Sequence, residues 1–154
     1  MSNDSITRSV AHSTFTLERT YKAAPQRVFA AFADKEQKAK WFDVTAPDDT
    51  VWEMDFREGG REYNSGPFEG HMHSFDSIYH DIIENERIVY SYTLSVDGQK
   101  LSASLTTLEF EPSGDGTKLT LTEYDAYFDG LEEVGPREEG TRGLLDAIAA
   151  TLDE

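Results

Sequence analysis

The stretch Arg87–Thr107, RIVYSYTLSVDGQKLSASLTT, decides the fold. Ile88, Tyr90, Tyr92, Leu94 and Val96 occupy every second position, the repeat of a strand with one buried face. Asp97-Gly98 follows at once. Asp-Gly between two alternating runs is a strong hairpin signal, because both central residues of such a turn take a positive φ. Leu101, Ala103, Leu105 and Thr107 then alternate, which predicts a returning strand with these residues on its apolar face.

Working outward, Ser113-Gly114-Asp115-Gly116 is another turn, and Lys118–Phe128 reads as the last strand. Upstream, Phe75–Ile83 is a strand, and Tyr63–Gly70 reads as a strand pair with a loop. Trp52, Met54 and Phe56 alternate ahead of a Gly59-Gly60 turn. Near the start, Phe15, Leu17, Arg19 and Tyr21 alternate with threonines and Glu18, a half-buried strand. Pro25 sits where a helix can begin, since the first turn does not need its missing N–H, and Val28, Phe29 and Phe32 follow at helical spacing. Asp34, with Gln37 three residues on, can cap a second short helix ending near Trp41-Phe42. After Gly135-Pro136 the period changes to that of a helix. Thr141, Leu144, Leu145, Ile148 and Leu152 form one stripe over about four turns. Two short helices, a run of hairpin-linked strands and one long helix is an α+β order.

The 154 residues favour one domain, large enough to be stable without disulfides or metal. There are no cysteines, which excludes disulfides, thiolate metal sites and cysteine nucleophiles and fits a reducing, cytoplasmic location. Met1–His12 is polar and is expected to be a flexible segment, leaving 13–154 as the domain. Fourteen basic residues against thirty acidic ones give a net charge of −16, which disfavours nucleic acid and anionic membranes as partners.

The order and spacing of several further marks carry a family resemblance. They are Trp41-Phe42, Phe56-Arg57-Glu58-Gly59-Gly60, Glu86-Arg87-Ile88-Val89-Tyr90, Gly116–Glu123 and Arg137-Glu138-Glu139-Gly140-Thr141. Together they resemble the START-like (SRPBCC) helix-grip superfamily and, within it, bacterial homologues of the activator of the 90-kDa heat-shock-protein ATPase. The resemblance spans roughly residues 13–152. It implies a curved antiparallel sheet wrapped around a long C-terminal helix, with two short helices between the first and second strands and a cavity between sheet and long helix. Many members carry Gly-Trp in the last helix where this chain has Gly143-Leu144, which alters one cavity wall. One branch often has Glu-Gln-Gly in the last strand where this chain has Glu123-Tyr124-Asp125.

The candidate ligand-binding residues are Trp41, Trp52, Phe75, Tyr90, Tyr92, Glu123, Leu144 and Ile148. Glu123 shares parity with Leu119 and Leu121, so its carboxylate should point inward with a raised pKa. It is open whether it is a structural acid satisfied by tyrosine hydroxyls or a group that meets a ligand or moves a proton. Tyr90 and Tyr92 pack in the core or face the cavity. His71, His73 and Glu69 lack a specific metal spacing, so no metal is expected. No nucleophile elbow, phosphate loop or dinucleotide fingerprint is present, and no cofactor is expected. Arg57 and Arg61 bracket a turn and serve either an anion or surface ion pairs. With no convergent catalytic set, the residues favour binding of a small hydrophobic or aromatic molecule over catalysis. The alternatives are a cyclase-like proton-transfer enzyme using Glu123 and, from the resemblance, a chaperone-associated protein.

The charge itself predicts a salt response. At −16 the folded state repels itself, and salt shortens that repulsion to about 8 Å at physiological ionic strength. Moderate sodium chloride should therefore raise the melting temperature. A flat or falling response from low to moderate salt would remove self-repulsion as a constraint on this chain.

Overall fold

The computed structural model describes residues 7–42 and 50–152. Seven antiparallel strands form one sheet in the order β1-β7-β6-β5-β4-β3-β2. They are β1 (Val10–Tyr21), β2 (Val51–Met54), β3 (Arg61–Phe68), β4 (His71–Ile83), β5 (Arg87–Val96), β6 (Gln99–Ser113) and β7 (Gly116–Phe128). Two short helices, α1 (Pro25–Ala33) and α2 (Lys35–Lys38), connect β1 to β2, and the long helix α3 (Val134–Leu152) closes the chain. This is the α+β helix-grip architecture.

Consecutive strands are neighbours from β2 to β7, so tight turns suffice. The Asp97-Gly98 turn joins β5 to β6 with φ of 52° and 82°, as its residue types require. Only β1 is placed by a long-range pairing, its twelve residues matched against Thr117–Phe128. Gly116 makes that closure possible. A Cβ there would lie 2.0 Å from the Tyr21 carbonyl oxygen, so only glycine fits beside the end of β1.

Pro25 occupies the first turn of α1, and Val28, Phe29, Ala31 and Phe32 form its buried face. Asp34 caps α2 by accepting from the Glu36 N–H at 3.1 Å. Under α1 the aromatic rings interlock edge to face, Phe29 and Phe32 on Phe110 at 5.3 and 5.7 Å and Phe32 on Trp41 at 5.1 Å. Helix α3 is tied to β1 by the Tyr21 hydroxyl, which donates to the Leu145 carbonyl at 2.9 Å. It is tied to α1 by Arg27, which donates to the Thr151 carbonyl at 3.3 Å. Its buried residues are Arg137, Leu145, Ile148 and Thr151.

Three sequence expectations need correction. Ordered pairing begins at Val10, opposite Phe128, not at residue 13, and the Ser9 N–H donates to Asp129 Oδ1 at 2.9 Å. Of the expected flexible segment 1–12, residues 1–6 lie outside the described residues. Tyr63–Gly70 is not a strand pair: β3 runs through Phe68, and Glu69-Gly70, both at positive φ, turn directly into β4. The buried face of β6 is the opposite of the one Leu101, Ala103 and Leu105 suggest. Ser102, Ser104, Thr106, Leu108 and Phe110 point inward, while Leu105 is 41% exposed. The register of β5 against β6 shifts between Leu94 and Ser95, close to the turn.

Ile148 is fully buried, between α3 and the core. Ile148→Asp places a carboxylate there, which costs several kcal/mol, on the order of the whole stability of a domain. The variant should be unfolded or melt far below the parent by circular dichroism. An unchanged melting curve would mean that this face of α3 is wrongly assigned.

Candidate functional site: a cavity with two buried ion clusters

A cavity of about 560 Å³ lies between the concave face of the sheet and the first half of α3. That is within the usual range for small-molecule pockets, roughly 300–1,000 Å³. Its walls are mostly aromatic and aliphatic. Trp41, Phe42, Phe75, Tyr79, Tyr90 and Tyr92 form the aromatic side, and Ile88, Leu108 and Leu121 the aliphatic floor. The roof is α3, through Arg137, Gly140, Thr141, Leu144 and Leu145. These positions recur three or four apart, so they form one helical stripe. Leu144 is 37% exposed beside the void.

The first polar cluster is built on Arg137, in the first turn of α3. Its guanidinium is buried and reaches across the sheet. One edge meets Glu132 through two hydrogen bonds of 2.6 Å, the bidentate geometry that makes arginine–carboxylate pairs strong. Nη2, which bonds Glu132, also donates to Ser102 at 2.6 Å, and Nη1 is shared among Ser104 and Tyr92 at 3.0 Å and Glu123 and Asp125 at 3.2 Å. Strand periodicity explains the convergence. Glu123, Asp125 and Tyr127 share the inward parity of Leu119 and Leu121 on β7, and Ser102, Ser104 and Thr106 face them from β6. Tyr92 and Thr106 donate to Glu123 at 2.8 and 2.9 Å. Ser104 and Tyr127 donate to Asp125 at 2.5 and 2.8 Å.

Three carboxyl groups therefore surround one guanidinium, and full ionisation would leave uncompensated negative charge in a low-dielectric place. Burial first, and the neighbouring Asp125 carboxyl second, push the Glu123 pKa from 4.5 up to about 7, against the opposing pull of Tyr92 and Arg137. Burial alone would lower the Arg137 pKa, but its bonds to Glu132 and the surrounding acids hold it above its ordinary value. Burial raises Tyr92 and Tyr90, and the Glu123 charge adds to both.

The second cluster centres on Glu62 of β3, which is 1% exposed. Lys38 Nζ donates to its Oε1 at 2.6 Å, the Tyr79 hydroxyl donates to the same oxygen at 2.5 Å, and the Trp52 indole N–H donates to Oε2 at 2.9 Å. Lys38 Nζ lies 4.5 Å from the centre of the Phe42 ring and 5.9 Å from that of Trp41. Burial pulls its pKa below the ordinary lysine value, and Glu62 opposes that. Strand register links the clusters: Glu62, Ser77, Tyr92, Ser104 and Asp125 lie directly opposite one another across β3, β4, β5, β6 and β7. Tyr79, Tyr90 and Tyr92 bridge them with ring centroids about 6 Å apart (6.2 and 5.9 Å).

Of the candidate residues, Trp41, Phe75, Tyr90, Tyr92, Glu123 and Leu144 line the cavity. Trp52 stands behind it, bonded to Glu62 and packed on Phe42. Ile148 lies deeper in the core. Lys38, Glu62, Asp125 and Arg137 were not singled out from the sequence. Parity gave a signal for Asp125, two residues after Glu123. Lys38 lies in the polar run Lys35–Lys40, which reads as solvent-facing. Arg57 and Arg61 make exposed ion pairs with Asp55 and Asp76. His71, at the β3–β4 turn, pairs with Asp97 of the β5–β6 turn, both exposed, and among the described residues no three metal-ligating side chains converge. No helix among the described residues is long and apolar enough to cross a membrane.

The family of Activator of Hsp90 ATPase homolog 1-like proteins matches residues 22–153. The chain is similar to the Mll3558 protein of Rhizobium loti, with 50% identity over 93% of this chain and 99% of that one and a TM-score of 0.87. It is also similar to an uncharacterized protein from Rhizobium leguminosarum, with 38% identity over 96% and 98% of the two chains and the same TM-score of 0.87. Ara h 8.0201 shares the fold alone, with 14% identity over 92% and 98% of the chains and a TM-score of 0.70. No curated protein matches the chain.

The Glu123 carboxyl predicts a pH effect. Its folded pKa of about 7 lies above its unfolded value of 4.5. Between these values the folded state holds a proton that the unfolded state has lost, so its contribution to stability is full below the unfolded value and is lost as pH rises through the folded one. Glu123→Gln cannot titrate. Denaturant melts from pH 5.5 to 8 should show the parent losing stability relative to Glu123→Gln as pH rises. A constant difference would place the Glu123 pKa in the ordinary carboxylate range.

Proposed function

The chain belongs to the family of Activator of Hsp90 ATPase homolog 1-like proteins, and we propose that within it this protein binds a small, largely apolar aromatic molecule in the cavity under α3. The observation that carries the reading is the void itself: about 560 Å³ walled by aromatic rings, with ionisable groups already paired at its edges. Pockets that hold small molecules are concave and mostly apolar, and this one has that character. A space this large among apolar side chains suits an apolar guest. The charges bordering it are paired with one another, so a guest need not neutralise a bare charge.

One observation favours a second reading, proton transfer. A carboxyl group with a pKa near 7 beside an apolar cavity has the property required of a general base. Against it, both Glu123 oxygens are engaged, by Tyr92, Thr106 and Arg137. Binding without chemistry is therefore the preferred reading. A chaperone-associated role rests on the family description alone, and a cytoplasmic location on the absence of cysteine.

Gly140 offers a test. It lines the cavity from α3, and a Cβ added there meets nothing within 4 Å. Gly140→Leu should raise helix stability by about 1 kcal/mol, the usual gap between glycine and a good helix former, while its side chain fills part of the void. The parent should bind an apolar fluorescent naphthalene and melt higher with it; the variant should melt higher alone and bind at least ten-fold more weakly. A parent that neither binds nor shifts, or a variant that binds equally well, would end the cavity reading.

A further inference from the structure

Among the described residues, the Lys38 ammonium is the one cation on the cavity wall whose donors are not all engaged. Arg137, the other cation there, spends its donors on Glu132, Glu123, Asp125, Tyr92 and two serines. Lys38 carries three N–H donors. Among the described residues only one acceptor, Glu62 Oε1, lies within hydrogen-bond distance. Its side chain is 9% exposed, so bulk water is a poor substitute. The neighbours of the ammonium are ring faces, Phe42 at 4.5 Å and Trp41 at 5.9 Å, and both rings line the void. A buried donor left unmade is costly, and hydrogen bonds to charged groups are the stronger kind.

We propose that Lys38 is the specificity-determining contact of the cavity, and that the ligand is an uncharged aromatic compound with a carbonyl-type oxygen that accepts a hydrogen bond from Lys38 Nζ. This rests on the cavity-binding reading above and adds the ligand's chemical class. The aromatic part packs among Phe42, Phe75, Tyr79 and Tyr90. The oxygen takes an N–H that Glu62 leaves over.

Charge decides between a neutral and an anionic oxygen. Glu62 already balances Lys38, and its bonds from Tyr79 and Trp52 hold it in place. Beyond Tyr92, three carboxyl groups share the single guanidinium of Arg137. The whole chain carries −16. A ligand carboxylate would bring a further negative charge into a cavity bordered by acids and lose its hydration there. A ketone, aldehyde or amide oxygen accepts the same hydrogen bond without that cost. Burial, which pulls Lys38 below its ordinary pKa, acts in the same direction, because an acceptor for the ammonium restores part of the lost hydration.

The test uses three probes of nearly one shape: 2-acetylnaphthalene, 2-isopropenylnaphthalene, in which a methylene replaces the carbonyl oxygen, and 2-naphthoate. Affinities for the intact protein are read by titration calorimetry. The ketone should bind on the order of ten-fold tighter than the alkene, the effect of one hydrogen bond to a charged donor, and tighter than the carboxylate. In the double variant Lys38→Met/Glu62→Gln, which removes the ammonium without stranding a buried carboxylate, ketone and alkene should bind alike. Equal binding of ketone and alkene to the parent overturns the role of Lys38 and leaves the cavity reading standing. Tightest binding by 2-naphthoate overturns the uncharged class. A ketone preference that survives in the folded double variant assigns the oxygen to another donor and also overturns the proposal. If none of the three binds, the cavity reading falls and this inference with it.

Discussion

The Arg137 guanidinium is the interaction on which the arrangement depends. It stands in the first turn of α3 and is 8% exposed. It bonds groups on three strands, Tyr92 on β5, Ser102 and Ser104 on β6, and Glu123 and Asp125 on β7. Few other ties are available to this end of the helix. Val134, Gly135 and Pro136 are exposed, and the fully buried apolar residues of α3, Leu145 and Ile148, come two turns or more later. The second half of the helix is held by apolar packing and the first half by a buried ion cluster. The cavity lies under the first half.

That division explains how a large void persists beneath a helix. Apolar contacts are non-directional and would favour closing the space. A hydrogen-bonded guanidinium fixes distance and direction, and so sets the helix over the sheet without filling the gap. The cost is a concentration of charge. Removing one member of such a cluster leaves the others buried and unpaired, which is typically worth about 3–5 kcal/mol of destabilisation. The cluster lessens its own cost below about pH 7, where Glu123 holds its proton. The Lys38–Glu62 pair, which borders the same cavity, is simpler, one cation to one acid with two neutral donors added.

Local pattern made the fold readable. Alternation gave most of the strands, Pro25 and Asp34 marked the short helices, Asp97-Gly98 marked a hairpin, and Leu145 and Ile148 gave the buried stripe of α3. The site was readable only where its residues obey the same rules: Glu123 by parity, and Tyr90 and Tyr92 as aromatics on an inner face. It failed on β6. There Leu101 and Leu105 suggested one face, yet the buried face carries Ser102, Ser104 and Thr106, whose hydroxyls serve the carboxyl groups and guanidinium across from them. Hydropathy treats a serine as a surface residue, because a partner on a strand or helix far along the chain is invisible to it. Arg137 and Lys38 were missed for the same reason. Each lies among charged neighbours, and only tertiary pairing separates them from the solvated lysines and arginines nearby.

The buried cluster under α3 is tested most directly by a carbon-13 titration of the Glu123 side chain in the intact protein. If Glu123 shares a buried guanidinium with Asp125 and Glu132 beside an apolar cavity, its carboxyl carbon should titrate with a midpoint near 7, well above the ordinary 4.5. A midpoint at the ordinary carboxylate value would mean that Glu123 is charged at neutral pH and that burial and Asp125 do not outweigh Arg137 and Tyr92, which contradicts a cluster that holds a proton on this carboxyl.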